Sequence, residues 1–150
     1  GTGPLESSLK QLAAKLGVAD RVRFWGDAPE LNLPDLYHAC DVFVFPSITP
    51  NEAFGMAQIE AMACSKPLVA CQLDSGVPFV CQHRRNGWIV PPGDSKALAN
   101  ALAELLTNPG LRHSLGSAGR HRACTEFSRT TMVHRYWELF CDVMARTAPQ

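Results

Sequence analysis

Apolar and polar residues follow one another along this chain on two distinct periods. Three short runs are continuously apolar: Val42-Phe43-Val44-Phe45, Leu68-Val69-Ala70-Cys71 and Trp88-Ile89-Val90. Such runs suit parallel strands buried on both faces. A fourth run over residues 22–25 reads as a shorter strand, and Asp41 as the lead-in to a central one. Around these runs apolar residues recur at helical spacing. Leu5, Leu9, Leu12, Ala13 and Leu16 mark one helix face, with Gly17 as its natural stop. Residues 34–40 predict a short helix. Met56, Ile59, Met62 and Ala63 predict a helix that opens near Ala53 and closes before Pro67. Leu98, Leu102, Leu105 and Leu106 predict one capped by Asp94 and running through Thr107; Asn108-Pro109 opens the next, to about Glu126. Ser128 caps the last helix, whose broad stripe of Met132, Val133, Tyr136, Trp137, Phe140, Val143 and Met144 is expected to pack on the sheet. Helices alternating with short apolar strands predict an α/β domain with a parallel sheet.

The stretch over residues 46–71 concentrates the candidate chemistry. Pro46 ends a strand because it has no N–H to donate. A polar loop follows, then Glu52 at the helix mouth and Glu60 about two turns further on. Gly55 lies between them and, lacking a Cβ, permits close approach of a ligand or a backbone. The free amides of a helix's first turn favour an anion, here over residues 53–56. Carboxylates accept hydrogen bonds from hydroxyls and repel phosphate. A ligand with phosphate in the middle and hydroxyl-rich groups at both ends fits this order, and a nucleotide-sugar is such a ligand.

The remaining features mostly remove alternatives. The 150 residues, 46% of them apolar, are enough for one domain with a core. Fourteen basic residues balance fourteen acidic ones, which argues against a nucleic-acid surface. No apolar run is long enough to span a membrane and no signal peptide is legible, so a cytoplasmic location is expected. The six cysteines form no C-x-x-C pair, and Cys40, Cys64 and Cys71 read as reduced core thiols. Asp41 reads as a cap or turn residue, His38 as a surface histidine, residues 83–85 as a solvated basic run and Asp74-Ser75-Gly76 as a turn near the crevice.

The segment EAFGMAQIE over residues 52–60, followed by Ala61-Met62-Ala63 and Lys66-Pro67, resembles the E-x7-E segment of GT-B glycosyltransferases. The similarity is to the retaining class known as group 1, or family 4. Residues 21–26 (RVRFWG), 40–47 (CDVFVFPS) and 86–94 (NGWIVPPGD) extend it over nearly the whole chain in order. One departure is Ser65, where that family usually has glycine.

The resemblance implies the C-terminal, donor-binding domain of such an enzyme: a Rossmann-like sheet of order 3-2-1-4-5-6 in which this chain supplies strands three to six. It further implies that the first two strands are lacking: either the chain is a fragment, another chain supplies the gap, or the sheet rearranges, and the resulting seam is expected to favour self-association. The full enzyme would be a retaining hexosyltransferase of polysaccharide biosynthesis, moving a sugar from a GDP- or UDP-sugar to a glycan or lipid-linked acceptor. It would be cytoplasmic or peripheral to a membrane. In this reading Glu52 is catalytic and holds the donor sugar's hydroxyls. Ala53, Phe54, Gly55 and Met56 meet the sugar and diphosphate through their backbone, and Glu60 holds the ribose. Trp25 and Gly26 lie near the base. No metal is expected, since no D-x-D pair occurs, and no transfer is expected from this chain alone. The rival readings are a glycoside hydrolase using the two carboxylates, a non-catalytic nucleotide- or sugar-binding module, and a folded remnant that binds nothing.

Overall fold

The computed structural model describes residues 2–27 and 33–147. The chain divides into two compact units, residues 1–35 and 36–150.

In the first unit, helix α1 (Glu6–Lys15) carries Glu6 in its first turn and Lys15 in its last, matching the helix dipole. Gly17 stops it as expected. At φ +69° it lets its own N–H reach the Ala14 carbonyl and that of Val18 the Ala13 carbonyl. Ala13 is buried, while Leu5, Leu9, Leu12 and Leu16 are exposed. A 3-10 turn, Ala19–Arg21, follows. The strand expected over residues 22–25 does not form. Val22 is extended, but no backbone among the described residues pairs with the segment, and pairing rather than apolar content makes a strand. The loop expected over residues 26–34 lies mostly outside the described residues.

Helix α2 (Leu33–Ala39) precedes the sheet of the second unit. That sheet has three parallel strands in the order β1 (Phe43–Phe45), β2 (Leu68–Cys71), β3 (Gly87–Val90). Phe43 stands opposite Leu68, and Leu68 opposite Gly87. β2, paired on both sides, is buried throughout. β1 was expected at the centre and buried on both faces; it is an edge strand paired on one side and half-buried. The sheet is flanked by α3 (Met56–Ala63), α4 (Val77–Val80), α5 (Ser95–Thr107) and α6 (Pro109–Glu126), before the last helix, α7 (Arg129–Thr147).

The two predicted caps, Asp94 and Ser128, are present, and Asn108 caps the helix that Asn108-Pro109 was expected to open. Asp94 accepts from the Ala97 N–H at 2.8 Å, Asn108 from Leu111 at 3.0 Å and Ser128 from Thr131 at 3.1 Å. The buried face of α3 is Gln58, Ala61 and Met62 rather than Met56, Ile59 and Ala63, because α6 packs against it, with Gly119 over Met62. Arg122 of α6 is buried. Its guanidinium donates to the Val80 carbonyl and the Glu126 carboxylate and lies over the rings of Phe79 and Phe127. A buried charge persists only when its donors are satisfied in this way. Asn86, also buried, ties the β3 approach to α3 and α4 through the Gln82 N–H, the Val80 carbonyl and the Met62 sulfur. The α7 stripe does not pack on the sheet. Met132, Val133, Tyr136, Trp137, Phe140, Val143 and Met144 are all exposed, although at 100° per residue they share one face of the helix.

All six cysteines are free. Cys71 and Cys81 are the core thiols, and Cys40 and Cys64, expected in the core, are only partly covered.

Candidate functional site

The site is assembled where β1 hands over to α3. Residues 46–55 form the connecting loop, with Glu52 half-buried near its end. Glu52 has neither a hydrogen bond nor an ion pair among the described residues, so its oxygens are open to an incoming donor. Helix α3 begins at Met56, three residues later than expected, because Gly55 holds a left-handed conformation (φ 78°, ψ 64°) that no helical residue adopts. Glu60 therefore stands one turn, about 6 Å of rise, beyond the first helical residue rather than two.

This late start exposes a run of donors. The backbone amides of Ala53, Phe54, Gly55, Met56 and Ala57 find no partner among the described residues. The first amide in this stretch with a bond is that of Gln58, to the Gly55 carbonyl at 2.9 Å. Successive unpaired amides at a helix N-terminus form an anion-binding concavity, reinforced by the dipole.

The loop is held from beneath. The Ala53 carbonyl accepts from the Gly76 N–H at 2.7 Å, which brings the turn over residues 74–76 at the end of β2 against the loop. Ser75 Oγ accepts from the Val77 N–H at 3.3 Å, which is the turn role expected of it. The Phe54 carbonyl accepts from Gln58 Nε2 at 3.2 Å. The Phe54 ring packs edge-on against Phe127, 5.9 Å between centroids, and near Phe79. Phe54 is thus anchored through its side chain while its N–H stays open. Gly55 is required by the fold itself. A Cβ there would lie 2.6 Å from Gln58 Nε2 and 3.0 Å from the Phe45 ring, so the space is filled by the protein itself. Gln58 is buried with its Oε1 unpartnered, a bracing role that its apolar neighbours in sequence do not signal.

Glu60 is exposed but not isolated. The hydroxyl of buried Tyr37 donates to its Oε2 at 2.7 Å. Burial, and then the neighbouring Glu60 carboxylate, push the Tyr37 phenol above its ordinary value, so it remains a donor at neutral pH. Trp25, exposed, and Gly26, at φ +63°, belong to the first unit, and their link to the nucleotide base remains a proposal. His38 is exposed, Asp41 makes a 3.7 Å surface pair with Arg112, and residues 83–85 are exposed, with Arg84 over the Trp88 ring. His38 and residues 83–85 keep the ordinary roles expected of them, whereas Asp41, expected as a cap or turn residue, makes only this weak surface pair among the described residues. A groove of about 580 Å³ along α7 is walled by Phe79, Phe127, Met132, Tyr136 and Glu126; it shares Phe54 and Met56 with the loop but is lined by neither Glu52 nor Glu60.

Known proteins resemble this chain in sequence and fold. The model of the family described as glycosyl transferases group 1 matches residues 1–122. A D-inositol 3-phosphate glycosyltransferase of Salinispora arenicola is 37% identical over 142 residues, which is 95% of this chain and 31% of that protein. A sucrose-phosphate synthase structure from Thermosynechococcus elongatus superposes with a TM-score of 0.85 at 31% identity, over 98% of this chain and 38% of that one. The structure of Anabaena Alr3699/HepE in complex with UDP superposes with a TM-score of 0.84 at 30% identity, over 91% of this chain and 36% of that one. The chain spans about a third of the length of these relatives.

Proposed function

This chain belongs to the glycosyl transferases group 1 family, and from that premise we propose that it is the part of a retaining hexosyltransferase that holds the nucleotide-sugar donor. The observation that carries the reading is the run of unpaired amides over residues 53–57, flanked by Glu52 with open oxygens and by Glu60.

Each part has one task. The amides and the N-terminus of α3 take the diphosphate, where negative charge builds as the donor's C1–O bond breaks. Glu52 accepts hydrogen bonds from the donor sugar's hydroxyls and orients C1, and Glu60 accepts them from the ribose. In the whole enzyme an acceptor hydroxyl forms the new C1–O bond on the face the diphosphate leaves, and its proton passes to the diphosphate oxygen. The acceptor would be a glycan or a lipid-linked sugar, and Trp25 and Gly26 would border the base. Transfer also requires that acceptor to be held in attack geometry. These 150 residues on their own are therefore expected to bind donor without turnover, and the one-sided edge of β1 is where a second copy would associate.

Titration calorimetry of the purified chain with UDP, GDP and UDP-glucose tests this reading. Saturable binding of one nucleoside diphosphate, unmatched by free glucose, is expected. A chain folded by circular dichroism that takes up neither UDP nor GDP would refute it.

A further inference from the structure

We infer that Tyr37 is a positioning residue for the nucleotide's ribose: its hydroxyl fixes the Glu60 carboxylate so that the remaining lone pairs face the two ribose hydroxyls. The inference rests on the donor-site reading above and adds to it the residue that sets discrimination between ribose and deoxyribose.

Glu60 alone is poorly suited to this task. It is exposed, and a glutamate side chain in solvent samples many rotamers that must be given up on binding. Tyr37 removes part of that freedom beforehand. It is buried, its ring meets Phe43 edge-on at 5.6 Å, and its hydroxyl reaches Glu60 Oε2 at 2.7 Å. The end of α2 that carries it is itself secured. Lys66, in the turn that closes α3, donates to the His38 carbonyl at 2.9 Å, and the Cys40 thiol donates to the Tyr37 carbonyl at 3.2 Å. The helix bearing Glu60 and the residue that aims it are therefore clamped to one turn. A carboxylate offers about four acceptor sites across its two oxygens. The phenol takes one on Oε2, which leaves Oε1 whole for a vicinal diol. Ligand hydroxyls donating to a pre-aimed charged acceptor make the stronger class of hydrogen bond. Loss of one such hydroxyl is felt in proportion to how well the carboxylate was held.

The test measures the affinity of the full 150-residue chain for UDP against 2′-deoxy-UDP, and GDP against 2′-deoxy-GDP, with thermal melting recorded beside each. In the unaltered chain the ribonucleotide should be preferred by about tenfold or more. Glu60→Ala should abolish the preference. Tyr37→Phe keeps the ring on Phe43; it should cut the preference at least threefold by weakening the ribonucleotide, with the deoxynucleotide bound as before. Tyr37→Phe that lowers the melting temperature, or weakens both ligands equally, yet keeps the full preference would show a merely structural tyrosine and overturn the inference. A preference that survives Glu60→Ala, or is missing from the unaltered chain, would overturn the ribose reading itself, a result distinct from failure of Tyr37 alone.

Discussion

Ser65 and Gly116 meet backbone to backbone: a side-chain carbon on Gly116 would lie 2.1 Å from the Ser65 carbonyl oxygen. This contact seats α6 on the turn that follows α3, and so sets the depth of the helix whose N-terminus forms the site. Gly116→Ala must push two elements apart at a backbone atom that cannot rotate away. It should destabilise the chain by about 1–3 kcal/mol, the range for overpacked cores. Urea denaturation measures it, and an unchanged midpoint would contradict the packing.

Ser65 itself holds φ +60°, a left-handed conformation that costs a residue with a Cβ about 1–2 kcal/mol. Ser65→Gly should therefore raise stability, by up to about 1 kcal/mol once the added freedom of the unfolded chain is counted. The same urea titration, showing a lower midpoint, would speak against strain at this turn.

Gly55 combines a left-handed φ of 78° with a Cβ direction already occupied by Gln58 and Phe45. Gly55→Val should lower the melting temperature and nucleotide affinity together. Loss of binding with an unchanged melting curve would restore a direct ligand-approach role to this glycine.

Burial pushes the Cys81 thiol up to about 12 and raises that of Cys71 as well. A folded-state value above the ordinary thiol value of about 8.5 favours the protonated folded form. The stabilisation is complete below that value and is lost as pH rises from about 9 toward 12. Stability measured across that window should fall, and less steeply in Cys81→Ala. With dithionitrobenzoate at neutral pH, exposed Cys124 and Cys141 should react first, and Cys71 and Cys81 only on unfolding. Immediate reaction of all six would contradict the core described here.

What was legible in the sequence was local. The caps at Asp94, Asn108 and Ser128 act within three residues of themselves, and residue type alone declares them. The three strand runs were legible because burial on a parallel sheet demands uninterrupted apolar residues. The features that escaped depend on distant partners. Residues 22–25 have the apolar pattern of a strand, but whether they pair is not encoded in that pattern. The start of α3 shifted from Ala53 to Met56 because Gly55 takes a left-handed conformation with Phe45 and Gln58 packed against it, and the turn around Gly76 holds the Ala53 carbonyl. Nothing in the sequence singles out Arg122; its burial is set by Val80, Phe79 and Phe127. Nor does it single out Tyr37 within its short helix, and only the fold places its hydroxyl on Glu60. Of the candidate site, the two glutamates and the loop between them were legible; the groups that aim and brace them were not.

Calorimetry with UDP and UDP-glucose on two variants separates the roles of Glu52 and Glu60. Glu60→Ala should weaken both ligands by about 1.5–3 kcal/mol, the worth of hydrogen bonds to a charged group. Glu52→Ala should weaken UDP-glucose by a similar amount and leave UDP nearly unchanged. Equal losses for both ligands in both variants, or no loss in either, would contradict the account.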